Sequence, residues 1–201
     1  MRTLLQAIWV FITDLGDTAV TVPLALLTCC FLGAVHELRL AFGLGLAILG
    51  CAGATSTLKL VLAACEHQLT IPGLSSPSGH TAMSTAVYGS MCVLIANSSP
   101  PVVRALVSAG GRVLIAGIAA SRFVLRHHTP PEVAVGLIIG LVAVIGFRLV
   151  LGDRHAIALP IQWPLGAAFI TVTLLHGDHW SAEPALRDLT WFFQLLVPIC
   201  G

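Results

Sequence analysis

Long apolar runs, cut by short polar stretches, are the dominant feature of this sequence. A membrane-spanning helix needs about 20 such residues. The runs predict six spans: about Ala19 to Val35, about Leu40 to Ala64, Pro77 to Ile95, a fourth that begins between Arg104 and Arg112 and ends at Ser121–Arg122, about Val133 to Leu151, and about Ala156 to Leu175. Only 9% of the 201 residues are charged, against about a quarter in soluble domains. We therefore expect an all-α polytopic membrane protein, a six-transmembrane-helix bundle forming a single domain over residues 1–201.

The N-terminal stretch MRTLLQAIWVFITDLGD carries only a short apolar run. Asp14 and Asp17 break that run, and the stretch lacks the small-residue cleavage site of a signal peptide. Because Trp9 and Phe11 would share an apolar face, we expect an N-terminal amphipathic helix that lies at the membrane interface.

Composition argues against several other kinds of function. The net charge of +1 and the absence of a basic cluster argue against a nucleic-acid partner. The six cysteines lack the spacing of a metal site, so we interpret them as small residues of membrane helices. The pattern His-x-Asp-His at residues 176–179 has metal-ligand residue types, but polar residues beside Trp180 are more often interfacial. We therefore expect neither a metal nor a cofactor.

Alternate loops of a helix bundle lie on the same membrane face. The loops after the second and fourth spans therefore bring together Lys59, His80, Arg122 and His128. Ionisable side chains are costly in lipid unless they are paired, so their convergence indicates a functional site. Arginines concentrate in the opposite loops, at positions 39, 104, 148 and 154. The positive-inside rule then places the site on the non-cytoplasmic face.

Pro77-Ser78-Gly79-His80 interrupts an otherwise apolar region. Proline suits the first turn of a helix, serine can cap its exposed amides, and glycine lets a ligand approach the backbone. A helix that starts here would offer free N–H groups and its positive dipole end to an anion, with His80 placed for proton exchange. A capped helix start with an incidental histidine is the alternative interpretation.

The segment SRFVLRHHTPPEV carries a second set of chemical groups. The planar guanidinium of Arg122 suits phosphate oxygens, and five residues separate it from His128. Glu132 follows four positions later, where a carboxylate can orient the imidazole of His128. Interfacial charge beside a loop with two prolines is the structural alternative, and His127 is the alternative nucleophile.

Together these patterns resemble the type 2 phosphatidic acid phosphatase family, which also includes vanadium haloperoxidases and bacterial acid phosphatases. The motifs of its membrane members, which have six helices, are K-x6-R-P, P-S-G-H and S-R-x5-H-x3-D. Residues 77–80 match the second motif fully, and residues 121–132 match the third except for Glu132, where the family has aspartate. Lys59 begins the first motif, but Glu66-His67 replaces its Arg-Pro.

The resemblance implies metal-free phosphoryl transfer through a phosphohistidine. His128 would attack phosphorus, Glu132 would orient the His128 ring, and His80 would protonate the departing oxygen. Positive groups and N–H donors would neutralise the phosphoryl oxygens. The implied phosphate ligands are Lys59, Ser78, the Gly79 amide, Arg122 and, in place of the missing arginine, His67.

We therefore expect an integral membrane phosphatase whose lipid phosphate or diphosphate substrate arrives from the bilayer, at the outer face of a bacterial inner membrane. Candidate substrates are undecaprenyl diphosphate, phosphatidylglycerol phosphate, phosphatidate and a phosphorylated glycolipid. Two alternatives use the same site: a transferase that passes the phosphoryl group to another lipid or sugar, and a non-catalytic protein that binds lipid phosphate. The missing Arg-Pro favours the last, whereas the two retained histidines oppose it.

Overall fold

The computed structural model describes residues 2–65, 71–152, 162–179 and 189, and all regular structure in these ranges is helical. The helices are α1 (Arg2–Asp14), α2 (Thr18–Ala34), α3 (Leu38–Ala64), α4 (Gly79–Asn97), α5 (Pro101–Val124), α6 (Pro130–Leu151) and α7 (Gln162–Leu175). The predicted all-α class is confirmed. The predicted start of the fourth span was wrong, because α5 begins at Pro101. Proline is favourable at a first helical position, where its missing N–H needs no partner.

Helix α4 lies at the centre of the bundle. It packs against α2, α3, α5 and α6, and its buried face extends almost all the way round. Several of its buried residues are hydroxylic, among them Thr81, Ser84 and Thr85. The hydroxyl of Thr85 donates to the carbonyl of Thr81 at 2.6 Å, which satisfies it inside the helix.

Glycines let α6 approach α4 closely. A Cβ at Gly136 would lie 2.5 Å from the carbonyl oxygen of Ser78, and one at Gly140 would lie 2.6 Å from that of Ala82. Both distances are closer than a side chain tolerates, so only glycine fits at these two contacts. Small residues that bring backbones together are a recurring device in membrane helix packing.

Four stretches of the described chain are long and apolar enough to cross a membrane. They are residues 4–34, which include most of α1 and all of α2, and the helices α3, α5 and α6. They indicate an integral membrane protein. Helix α4 has 19 residues, but its polar residues face other helices instead of lipid. Helix α7 has 14 residues, and residues 153–161 before it lie outside the described ranges. The count of six spans therefore stays a prediction.

The predicted N-terminal helix is present as α1, and a short turn connects it to α2. The carboxylate of Asp17 caps α2 by accepting a hydrogen bond from the N–H of Ala19 at 2.8 Å. Helix α1 packs against α5 and exposes Leu4 and Leu5. Its position at the membrane interface stays a prediction, since residues 4–34 together also qualify as one apolar span.

Cross-helix hydrogen bonds show which helix ends lie together. The N–H of Ser78 donates to the carbonyl of Glu132 at 3.1 Å, and a guanidinium nitrogen of Arg122 donates to the hydroxyl of Thr13 at 3.0 Å. We call the end of the bundle that holds these four residues the motif end. The opposite end holds Ala34, Leu38, Asn97, Pro101 and Leu151, where the same helices begin or finish.

Candidate active site

Ser78 and Gly79 form the start of α4 at the motif end. Ser78 is the N-cap residue, and its fully buried hydroxyl accepts hydrogen bonds from the N–H and the hydroxyl of Thr81 at 3.4 and 3.0 Å. A Cβ at Gly79 would meet no atom within 4 Å. Packing against the protein therefore does not require glycine here, and the missing side chain leaves room for a ligand to approach the first turn of α4.

The end of α5 places the third motif. The N–H of His127 donates to the carbonyl of Arg122 at 3.0 Å, and that of Arg126 donates to the carbonyl of Phe123 at 3.0 Å. These two bonds define a Schellman motif, in which the residue at C′ is left-handed. Arg126 holds that position with a φ of 58°. This turn reverses the chain within a few residues and directs His128 back over the motif end.

Arg122 is anchored from the N-terminal region of the chain. Its guanidinium bonds Thr13 at 3.0 Å, and the carboxylates of Asp14 and Asp17 lie close enough to act on its charge. Its Nε is buried and has no hydrogen-bond partner among the described residues. A buried guanidinium N–H normally has a partner, so this donor is suited to an anionic ligand.

A carboxylate holds the imidazole of His128. Nδ1 of His128 lies 2.9 Å from Oε2 of Glu132, and the side chains are 14% and 5% exposed. The same oxygen accepts from the N–H of Thr129 at 3.0 Å, which with the hydroxyl of Thr129 completes a capping box at the start of α6. With Nδ1 engaged, Nε2 is the ring nitrogen left to react.

The second oxygen of Glu132 binds the loop that precedes α4. Oε1 accepts from the N–H and hydroxyl of Ser75 at 3.0 and 2.5 Å and from the N–H of Ser76 at 2.9 Å. One carboxylate therefore connects His128 to the loop that carries Pro77-Ser78-Gly79-His80.

The two adjacent histidines differ in their surroundings. Burial lowers the pKa of His128 from its ordinary value of 6.5, and the positive charges of Arg122 and Lys59 lower it further, while the bond to Glu132 opposes them. Burial and the charges of Arg122 and His80 lower the pKa of His127. His127 is exposed, and no hydrogen bond to another described residue holds its ring. Of these two adjacent histidines, His128 is therefore the one whose ring is held in a fixed orientation.

Asp17 is a site residue that sequence reasoning missed. Its Oδ2 lies 3.2 Å from Nε2 of His80 and 3.5 Å from Nδ1 of His179, and its side chain is 5% exposed. The feature of the sequence that could have indicated Asp17 is the pair Asp14 and Asp17, which interrupts the apolar N-terminal run. Nothing in their spacing relates them to a motif that begins sixty residues later.

The His-x-Asp-His stretch contributes to packing at the motif end. The ring of His176 lies 4.3 Å from that of Phe11, centroid to centroid, and its Nε2 is 3.2 Å from the carbonyl oxygen of Phe11. His179 reaches Asp17 instead. Through these contacts, the residues that follow α7 pack against the end of α1 and the start of α2.

Lys59 lies near the end of α3, partly buried, and its charge reaches His128. Glu66 and His67 lie outside the described residues, so the predicted role of His67 has no structural test. Cys65, which directly follows α3, is disulfide-bonded, whereas Cys29, Cys30, Cys51 and Cys92 are free. The interpretation of the cysteines as small helix residues was therefore wrong for Cys65.

These features define a helical membrane protein whose motif end brings two carboxylate-paired histidines, His80 and His128, together with Arg122. A family model, the PAP2 superfamily, matches residues 40–156, which include Lys59, His80, His128 and Glu132. The chain belongs to the PAP2 superfamily, and this membership indicates a phosphatase-type function in a membrane protein. No curated protein and no solved structure matches the chain.

Proposed function

We propose that this protein is a metal-independent phosphatase that hydrolyses a lipid phosphate or diphosphate through a phosphohistidine. The observation that carries the proposal is the double role of Glu132. One of its oxygens orients His128, and the other binds the loop before Gly79 and His80. Glu132 thus holds the nucleophile His128 close to the N-terminus of α4, which supports the proposal that both act on the same phosphoryl group.

In the first step, Nε2 of His128 attacks phosphorus as Glu132 accepts the hydrogen bond from Nδ1–H. The bond between phosphorus and the departing lipid oxygen breaks, and His80 transfers a proton to that oxygen. The lowered pKa of His128 supports this role, because a neutral imidazole has the lone pair that attack requires. Asp17 orients the His80 ring through the contact at 3.2 Å.

In the second step, water attacks the phosphorus of the phosphohistidine. His80 accepts a proton from that water, the bond between phosphorus and nitrogen breaks, and inorganic phosphate leaves with His128 restored. Each group then has the protonation state with which it began.

The phosphoryl charge is neutralised by protein groups in this proposal. Arg122 contributes its buried Nε, Lys59 contributes its ammonium, and the start of α4 contributes backbone N–H groups beside Gly79. The hydroxyl of Ser78 is engaged in capping, so we assign Ser78 mainly to holding the loop in place. His67 keeps its predicted role as the substitute for the missing arginine.

We further propose that the motif end faces the periplasm or cell exterior of a bacterial inner membrane. The positive-inside pattern of the opposite loops supports this orientation. The disulfide of Cys65 at the motif end adds support, since disulfides persist in oxidising compartments. The substrate would approach laterally from the bilayer, with undecaprenyl diphosphate, phosphatidylglycerol phosphate and phosphatidate as the lipids to examine first.

Phosphate release from a panel of labelled lipids, with the purified full chain in detergent, tests the proposal. Replacing His128 with alanine is expected to lower kcat by about 10³-fold or more, because the covalent path is lost. The adjacent His127→Ala is the matched control and is expected to change kcat by less than about tenfold. Equal losses in the two variants, or no release from any lipid by the wild type, would overturn it.

The same experiment separates the alternatives. A phosphorylated lipid or sugar product with little free phosphate identifies a transferase. Lipid-phosphate binding without turnover, unchanged in His80→Ala, identifies a non-catalytic binding protein. A labelled phosphohistidine trapped by rapid acid-free quenching in the wild type but not in His128→Ala supports the proposed intermediate.

A further inference from the structure

A groove opens on the side of the bundle between α5 and α6, away from the motif end. Both helices pack extensively on α4 but little on each other, so α4 forms the floor of the groove. The floor runs from Thr85 to Asn97, a distance of about 18 Å along a helix. The volume of the groove is 560 Å³, within the range of about 300–1,000 Å³ found for ligand sites.

The lining of this groove is apolar along its length and basic toward the opposite end. Three arginines line it, Arg104 and Arg112 from α5 and Arg148 from α6. Its described lining contains no aspartate or glutamate. The groove therefore combines an apolar channel with a concentration of positive charge.

Arg112 is the most informative of the three. It lies in a helix apolar enough to span a membrane, about 17 Å beyond Pro101 at 1.5 Å per residue. A charge at this depth is costly unless it is satisfied. Its Nε donates to the carbonyl of Ser108 at 2.9 Å, and that carbonyl is its one hydrogen-bond partner among the described residues. A guanidinium has five N–H donors, so most of its donors are available to a ligand.

The three guanidinium groups gather toward the opposite end. The bond to Ser108 directs Arg112 one helical turn toward the start of α5. Arg104 donates from Nε to the carbonyl of Ala96 at 3.1 Å, and Arg148 donates to the carbonyl of Gly152 at 2.6 Å. All of these carbonyls lie toward the opposite end of the groove, so the three side chains extend toward that end.

We propose that this groove binds an anionic phospholipid from the leaflet at the end opposite the candidate active site. The lipid phosphate is bound by Arg112 and Arg104, whose planar guanidinium groups suit its oxygens, and Arg148 adds positive charge to the same groove. An acyl chain lies along α4 against apolar residues such as Val93 and Leu141. Basic pockets between membrane helices bind anionic headgroups in this way. The site is separate from the catalytic proposal and does not depend on it.

Native mass spectrometry of the full chain in detergent, titrated with phosphatidylglycerol or phosphatidylcholine, tests the proposal. We expect phosphatidylglycerol to bind with one high-affinity site per chain, and phosphatidylcholine to bind at least about tenfold more weakly. Arg112→Gln and Arg104→Gln each remove charge-assisted hydrogen bonds and are expected to raise the apparent Kd about tenfold. Arg112→Lys keeps the charge without the planar fork and is expected to give an intermediate Kd.

Arg39→Gln is the matched control, since Arg39 is an exposed arginine at the same end but outside the groove. It is expected to bind phosphatidylglycerol as the wild type does. Circular dichroism of each variant confirms that the helices form before binding is compared. Wild-type affinity in both groove variants, or an equal loss in Arg39→Gln, would overturn the proposal. Displacement by inorganic phosphate at the same concentration would show that phosphate alone is the ligand and would overturn the assignment to a lipid.

Discussion

The two ends of the bundle use polar side chains in different ways. At the motif end, side chains bind across long sequence separations, as Glu132 does with Ser75 and Arg122 does with Thr13. At the opposite end, arginines bond to backbone carbonyls a few residues away, as Arg148 does with Gly152. Bonds between helices fix the distances between reactive groups, whereas local bonds hold the charge of a single side chain in place.

Removing the carboxylate of Glu132 should give the largest effect of any change that tests this contrast. Glu132→Gln is expected to lower kcat by about 10³–10⁴-fold, since His128 loses its orienting charge. Loss of bonds to the loop before α4 is also expected to lower the free energy of unfolding by about 2 kcal/mol. Steady-state kinetics and thermal unfolding in detergent measure the two effects.

Glu37 provides the control for that experiment. It is the N-cap residue of α3 at the opposite end, and its side chain makes no capping hydrogen bond. Glu37→Gln is expected to leave kcat and the unfolding free energy within experimental error. A similar loss in both variants would contradict the distinction between the two ends.

Asp17→Asn should give the next largest effect. The amide is a poorer acceptor for His80, so we expect kcat to fall by about 10–100-fold with KM changed less than about twofold. Asp178→Asn is the control, because Asp178 is an exposed carboxylate at the same end. An unchanged kcat in Asp17→Asn would exclude a positioning role for this carboxylate.

The pH profile tests whether charges at the motif end act on one another. Because Lys59 lowers the pKa of His128, Lys59→Gln is expected to raise it. A larger fraction of His128 is then protonated at a given acidic pH, so the acid limb of kcat/KM moves to higher pH. In the wild type this limb is expected below pH 6.5, as burial is the main cause of the shift. A limb that stays fixed in Lys59→Gln would contradict the coupling.

We expect the smallest changes in stability at two Schellman motifs, one at each end of the bundle. Arg126 and His36 both occupy the left-handed C′ position, with φ of 58° and 63°, where a non-glycine residue costs about 1 kcal/mol. Arg126→Gly and His36→Gly are each expected to raise the free energy of unfolding by about 0.5–1 kcal/mol, measured by equilibrium unfolding. Destabilisation of either would show that its side chain makes a larger contribution.

The sequence predicted correctly those features that depend on the alternation of apolar helices and loops, or on the spacing of residues within one motif. The alternation of apolar runs predicted that Lys59, His80, Arg122 and His128 lie at one end, and the described helices bring their segments there. The spacing of four positions between His128 and Glu132 predicted the contact found at 2.9 Å, because both residues lie around a single helix start.

The remaining features depend on how loops fold. The bonds from Ser75 and Ser76 to Glu132 follow from the path of residues 71–78, which no periodicity specifies. The contact of Asp17 with His80 depends on how α1 and α2 pack beside α4. The start of α5 at Pro101 was missed because two arginines inside an apolar helix looked like its boundary. Each of these three features depends on contacts between segments that are distant in the sequence or on packing of the whole helix, and local sequence patterns do not contain that information.

The contact of α6 with α4 at Gly136 and Gly140 has a mechanical consequence. The two helices that carry His80 and Glu132 meet backbone to backbone, with no flexible side chains between them to absorb a displacement. When a bilayer thins, thickens or curves, helices that lack such backbone contacts can tilt to follow it. His80 and Glu132 would keep their spacing during such changes, so the reacting pair of histidines would stay aligned in membranes of different thickness.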